Sequence, residues 1–241
     1  AEVHDHARRA RAGGLSRSAD WWRIVLGDVP LYIGGGQDRL VLLHEDEAGR
    51  PDGYALYEVR EDWSGGSAGH TLHASEVVAA DERVELGLWR TLLDHDLVAR
   101  VTGAMPVDHT LWDVLVDPRQ ARVRWEQDLL WVRLLDVPAA LSARRYAVDG
   151  ELVLEVLDAF RPQTAGTYLL RSEGGAASCE ATDRPAELRL DVSDLAACWL
   201  GDTTLRRLTR AGRVEQLADG AAGRGDAMFA TERPPWCWVR F

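Results

Sequence analysis

Apolar positions recur along this chain at two different spacings, and the spacing assigns the elements. Ser18 and Asp20 open a segment carrying Trp21, Trp22, Val25 and Leu26, which predicts a short helix. Arg39–Glu45 is an apolar, strand-like run, and Gly49-Arg50-Pro51-Asp52-Gly53 has glycine and aspartate where a turn needs them. Gly53–Val59 returns as a second strand, so the two form a hairpin. Thr71–Val78 is a third strand, after the Ser64–Gly69 loop. From Asp81 the period changes: Val84, Leu88, Trp89 and Leu92 fall on one face of a helix. A short helix is expected near Thr110–Leu115, before the Asp117-Pro118 break. Asp128–Val137, with seven apolar residues of ten, is too apolar for an edge and reads as a buried strand.

The texture shifts after Pro138. Ala139–Tyr146 predicts a short helix, and strand-like runs follow at Glu151–Leu157, Thr167–Arg171, Ala176–Ala181 and Glu187–Val192. Helices at Ser193–Leu200 and Thr204–Ala211 are closed by Gly201 and Gly212. A domain boundary is placed near Val137, and residues 1–15 read as a polar connector. The expected class is α+β: a mixed-sheet domain over residues 16–137 and a smaller α/β domain over 138–241.

Composition narrows the partners. The chain has 241 residues, enough for two modest cores, and a net charge of −11. That charge argues against nucleic acid and anionic membrane and suits a cationic small molecule, although many proteins are acidic merely to stay in solution. No apolar run approaches the roughly 20 residues of a membrane span, and the basic opening lacks a signal-peptide core. All basic residues are arginine, and the chain has no lysine or asparagine, a bias of a GC-rich genome. Cys179, Cys198 and Cys237 lie far apart and outside CxxC spacing, which favours a reduced, cytoplasmic setting.

Local motifs carry little chemistry. His70-x-x-His73 and His4-x-His6 lack a third metal ligand at usual spacing and read as solvated histidines, so no metal is expected. Asp94-His95-Asp96 reads as loop charge at a helix end. No G-x-S-x-G elbow occurs. The glycine clusters Gly34-Gly35-Gly36 and Gly223-Arg224-Gly225 do not have the context of a cofactor loop. Asp136 and Asp158 each end an apolar run, where aspartate is commonly a turn or cap residue. The last eight residues, Pro234-Pro235-Trp236-Cys237-Trp238-Val239-Arg240-Phe241, are apolar and stiff, whereas chain ends are usually polar and loose.

The hairpin–strand–helix order of residues 39–93 resembles the centre of a GNAT-fold acetyltransferase. The stretches Gly14-Leu15-Ser16-Arg17 through Trp21-Trp22, Asp52-Gly53-Tyr54-Ala55-Leu56-Tyr57, the run from Leu88 to Val98, Leu130-Trp131-Val132-Arg133, Asp136–Leu141, Cys198-Trp199-Leu200-Gly201, Ala211-Gly212-Arg213-Val214 and the ending Pro234–Phe241 resemble, in order, the enhanced intracellular survival (Eis) family. The resemblance covers almost the whole chain and places it as the C-terminal two-thirds of such a protein: a second, cofactor-free GNAT-like domain and a sterol-carrier-protein-like domain.

Family members acetylate amines of aminoglycosides and polyamine-like or lysine-containing substrates, and they assemble as hexamers. The resemblance therefore implies acetyl-CoA in the intact protein, bound by a domain missing here, and no cofactor site in this chain. Consistent with that, Val77–Glu85 has no glycine where GNAT enzymes seat a pyrophosphate, and Asp81, Glu82 and Glu85 would repel a phosphate there. The family's general base is its own C-terminal carboxylate, which matches Phe241. Trp131, Asp136 and Asp158 are the candidates for walls of a cation pocket, and Arg240 departs from an acidic residue expected there. The rival readings are a lipid-binding module and a non-catalytic oligomerisation scaffold. The aromatic tail is equally readable as a packing anchor.

Overall fold

The computed structural model describes residues 1–26 and 39–239. The chain divides into two compact units, Ala1–Leu129 with Trp236–Phe241, and Leu130–Pro235. In the first unit, α1 (Glu2–Ala10) and α2 (Ala19–Leu26) precede β1 (Leu40–Glu45), β2 (Pro51–Arg60) and β3 (His70–Ala79). Then come α3 (Glu82–Leu93), β4 (Val98–Gly103) and the single-turn α4 (Leu111–Val114). The four strands form one sheet in the order β1-β2-β3-β4. The first three are antiparallel neighbours, and β4 joins β3 in parallel after the α3 crossover.

The helix period of α3 buries Val84, Leu88, Trp89 and Leu92 against Ala55, Leu72, Ala74 and Val77. Asp81 caps its start, accepting from the Val84 amide at 2.9 Å. β4 ends at Gly103, where a Cβ would stand 2.7 Å from the Trp89 ring and 3.1 Å from the Ala74 carbonyl oxygen. Neither neighbour can retreat, since Trp89 is core and the carbonyl is backbone. Gly103→Ala is therefore expected to cost about 1–3 kcal/mol, read from urea unfolding followed by tryptophan fluorescence; an unchanged midpoint would refute the packing.

One irregularity sets up the rest of the unit. Leu56 pairs with Glu76 but the next residue, Tyr57, pairs with Ala74, so Ser75 is an extra residue on β3. Strand side chains alternate faces, and a bulge shifts that alternation by one. Leu72 and Ala74 face α3, and beyond the bulge it is Val77 that does so. Tyr54, Leu56 and Val78 join Val3 and Ala7 of α1 in a separate cluster, and Glu76 turns to the Tyr54 side.

In the second unit, α5 (Val137–Ser142) leads into β5 (Gly150–Leu157), β6 (Gly166–Glu173), β7 (Ala176–Ala181) and β8 (Leu188–Asp191). α6 (Val192–Trp199), α7 (Leu205–Arg210), β9 (Val214–Gln216) and α8 (Ala221–Phe229) complete it. The sheet order is β7-β6-β5-β8-β9, with β5 and β8 parallel and the other pairs antiparallel. Leu152, Leu154, Leu170, Leu188 and Leu190 of the strands pack with Leu141, Leu195, Leu205 and Met228 of the helices. Gly201 and Gly212 follow their helices with φ of 95° and 72°, as the sequence predicts.

Several expectations need correction. Residues 1–15 are not a mere connector, since α1 buries Val3, His4 and Ala7. Asp128–Val137 forms no strand: Trp131 is 84% exposed, while Leu134 and Val137 are buried in the second core and Val132 packs against it, which draws the boundary upstream of Val137. The last residues, grouped by sequence with the second domain, pack with the first unit. β4, β9 and α8 are additions to the predicted elements.

Candidate functional site

The site is built where the chain's tail meets the α1 face of the first sheet. Arg17 is 1% exposed at its side chain and pairs with the bulge-turned Glu76 through both terminal guanidinium nitrogens, one at 2.7 Å. Glu76 also accepts the hydroxyl of Tyr54. Burial and the adjacent Glu76 charge push the Tyr54 phenol above its usual range, so it stays a donor. Burial opposes the charge on Arg17, but the hydrogen bond and charge of Glu76 outweigh it and hold the guanidinium above its usual range.

The tail lies across this cluster. Arg17 donates to the Trp238 carbonyl at 3.1 Å, and the Trp238 indole donates to the Val77 carbonyl at 3.3 Å. The Trp236 amide donates to Ala12 at 2.9 Å. Gly13 makes that approach possible: its φ is 87°, and a Cβ there would meet the Trp236 carbonyl oxygen at 3.1 Å. Cys237 and Val239 are buried, and the Cys237 thiol donates to the Val239 carbonyl at 3.3 Å. Four consecutive residues are thus strapped down. His4 packs edge-on to both Trp22 and Trp238, at 5.4 and 6.0 Å between centroids. Burial, with the nearby Arg17 charge, lowers its pKa to about 4, so the ring is neutral at pH 7. Arg17 stacks on Trp22 at 4.9 Å. An open cleft of about 700 Å³ borders the cluster, with His4, Arg17 and Trp22 in its wall.

Other predicted positions have other roles. His4 and His70 are buried, not solvated, and His70 accepts the Asp62 amide. No group of three metal-ligating side chains occurs among the described residues. Asp136 caps α5 through the Ala139 amide at 2.9 Å. Asp158 pairs with Arg133 at 2.6 Å and accepts the amides of Phe160 and Arg161. Trp131 stands exposed. Gly223-Arg224-Gly225 lies within α8. Gly34-Gly35-Gly36, Arg240 and Phe241 lie outside the described residues. The Arg17–Glu76–Tyr54 cluster had no signal in the sequence beyond an arginine and a tyrosine in two resembling stretches. The bulge that aims Glu76 is invisible to alternation.

The segment between β3 and α3 offers a poor seat for a pyrophosphate. The Asp81 carboxylate already takes the Val84 amide, and Glu82 and Glu85 add charge of the wrong sign. The Trp89 ring and His109, edge-on at 5.8 Å, are buried where β4 ends beside β3.

Comparison with known proteins places these features. Residues 13–134 match the Acetyltransferase (GNAT) domain model, and residues 137–238 match the Sterol carrier protein domain model. An uncharacterized N-acetyltransferase of Streptomyces avermitilis is 37% identical over 98% of this chain and 57% of its own length. N-acetyltransferase Eis of Mycobacterium tuberculosis is 34% identical over 96% of this chain and 54% of its own. The crystal structure of Eis1 from Mycobacterium abscessus aligns with a TM-score of 0.81 and 30% identity, over 99% of this chain and 59% of that one. A GCN5-related N-acetyltransferase from Anabaena variabilis gives 0.80 at 23% identity, over 100% of this chain and 59% of that one, which shows the fold alone.

The chain spans 57% of the length of the first of these relatives. The expectation that an acetyl-CoA domain is absent is not borne out, because residues 13–134 match an acetyltransferase domain. No helix among the described residues is long and apolar enough to cross a membrane. A mixed α+β unit of GNAT type followed by a sterol-carrier-type unit, with relatives along nearly all of its length, identifies the chain as a member of the Eis-type GNAT family of N-acetyltransferases.

Proposed function

We propose that this chain serves an acetyl-CoA-dependent N-acetyltransferase acting on polycationic amines of the aminoglycoside or polyamine class, with the Phe241 carboxylate as general base. The observation that carries the reading is the strap: Trp236–Val239 is tied to Ala12, Arg17 and Val77 by three hydrogen bonds instead of trailing in water. A tail held only as an apolar plug has no need of a buried arginine on its carbonyl.

A free α-carboxyl titrates at about 3.3–3.7, too low for an efficient base, and enclosure raises it. The carboxylate takes a proton from the substrate ammonium. The freed amine attacks the thioester carbonyl, the carbon–sulfur bond breaks, and coenzyme A leaves as the thiolate, which takes up the second proton that the nitrogen sheds as the amide forms. The net charge of −11 raises the local concentration of a polycation. Trp131 offers an exposed indole face to a cation; Asp136 and Asp158 are spent on capping and on Arg133, so they contribute field more than contact. A homo-oligomer, as the family resemblance implies, completes the proposal, in a reducing, cytoplasmic setting that the three free, buried cysteines support.

The test is thiol release from acetyl-CoA by the full natural protein, with spermidine, an aminoglycoside or a neutral alcohol as acceptor. Release is expected with both amines and not with the alcohol. No release above background with either amine would overturn the proposal.

A further inference from the structure

The buried ion pair at the tail has more hydrogen-bonding capacity than a structural strut needs. Glu76 satisfies Arg17 from one side, yet the same guanidinium reaches a third acceptor, the Trp238 carbonyl at 3.1 Å, 221 residues away in sequence. A charged donor on a backbone carbonyl makes a stronger hydrogen bond than a neutral one. Glu76 faces Arg17 because of the Ser75 bulge, and bulges are commonly kept where a side chain must be re-aimed. The groups packed on the pair are Tyr54, His4, Trp22 and Trp238. Tyr54 and Trp22 contact Arg17 or Glu76 directly.

We propose that Arg17 is a positioning residue: locked by Glu76, it clamps the Trp238 carbonyl and so sets where the end of the chain can reach. From Trp238 three residues remain, a span of at most about 11 Å when fully extended. A clamp at that point keeps the carboxylate within that distance of the Trp238 carbonyl, and shortening the range over which a reacting group must be found raises the rate. This inference rests on the reading of Phe241 as base, but the clamp itself can be measured without it.

Cys237 is a built-in reporter, because it lies inside the strap and is 6% exposed. Burial raises its thiol pKa. The other two cysteines sit in the second unit, where burial holds Cys179 at about 11 and Cys198 at about 12. The variant pair Arg17→Met with Glu76→Gln removes the clamp without leaving a buried charge unpaired. In the full protein, a disulfide reagent should label Cys237 about 10- to 100-fold faster in this double variant, the range expected for losing one charge-assisted hydrogen bond. Cys179 and Cys198, resolved by peptide mass, should not change. Turnover should fall with KM for acetyl-CoA retained, and the acid limb of the pH profile should move down as the carboxylate regains water. Arg17→Lys should restore part of both.

An unchanged Cys237 rate in a folded double variant overturns the clamp whatever the activity does. Faster labelling with unaltered turnover and pH profile overturns the link between clamp and base. Failure of the base reading is a separate result, because it shows when Phe241 is removed from the unsubstituted protein.

Discussion

Removal of Phe241 from the full protein is expected to lower acetyl transfer by about 10²–10⁴-fold, the usual worth of a positioned general acid or base. Arg240 would then carry the terminal carboxylate, one residue short, and proton transfer does not tolerate a displacement of that size. The strap ends at Val239, so its contacts to Arg17, Val77 and Ala12 do not involve the deleted residue. Thermal stability and oligomeric state should therefore be retained. Because amines lose their own proton as pH rises, the deficit should shrink toward alkaline pH. Activity within threefold of the intact protein at pH 7 would eliminate the carboxylate as base. Equal loss of stability would make the tail a packing anchor, the reading the aromatic sequence also allowed.

Glu76→Ala should be among the most damaging single changes in the first unit, at about 3–5 kcal/mol. The Arg17 side chain is 1% exposed and that of Glu76 8%, so truncation leaves a nearly dry guanidinium without its counter-charge. Tyr54 loses its acceptor in the same step. The magnitude measures the charge left behind and not the value of the pair, so adding Arg17→Met to Glu76→Ala should recover part of the loss. Guanidinium unfolding of the single and double variants gives both numbers. A single-variant loss below 1 kcal/mol would mean that the cluster is wetter than its burial indicates.

The parts of this architecture that a periodic pattern could reveal were those built from neighbours in sequence. The β1–β2 hairpin follows from its turn residues, and α3 follows from Val84, Leu88, Trp89 and Leu92 at helical spacing. α1 escaped because its buried residues are only Val3, His4 and Ala7 among charges, a stripe too thin to read. The apolar run ending at Val137 misled in the opposite sense: no strand pairs with it, and Trp131 and Leu135 face outward. The family was legible through many short resemblances in order. The clamp was not, because Arg17, Tyr54, Glu76 and Trp238 meet only after folding, and one extra residue at Ser75 decides which way Glu76 points.

The return of Trp236–Val239 to the first unit has a consequence for biosynthesis. Leu130–Pro235 form their own core, so roughly a hundred residues must leave the ribosome between the body of the first unit and the piece that closes it. At about 5–20 residues per second, that is a wait of roughly 5–20 s. Throughout it the nascent α1 face, with Tyr54, Leu56 and Val78, lacks the indole of Trp238 that later covers it. Translation pausing just ahead of Trp236 should therefore prolong chaperone occupancy of this chain, and the codons of Trp236–Val239 act as the latch on a body translated long before.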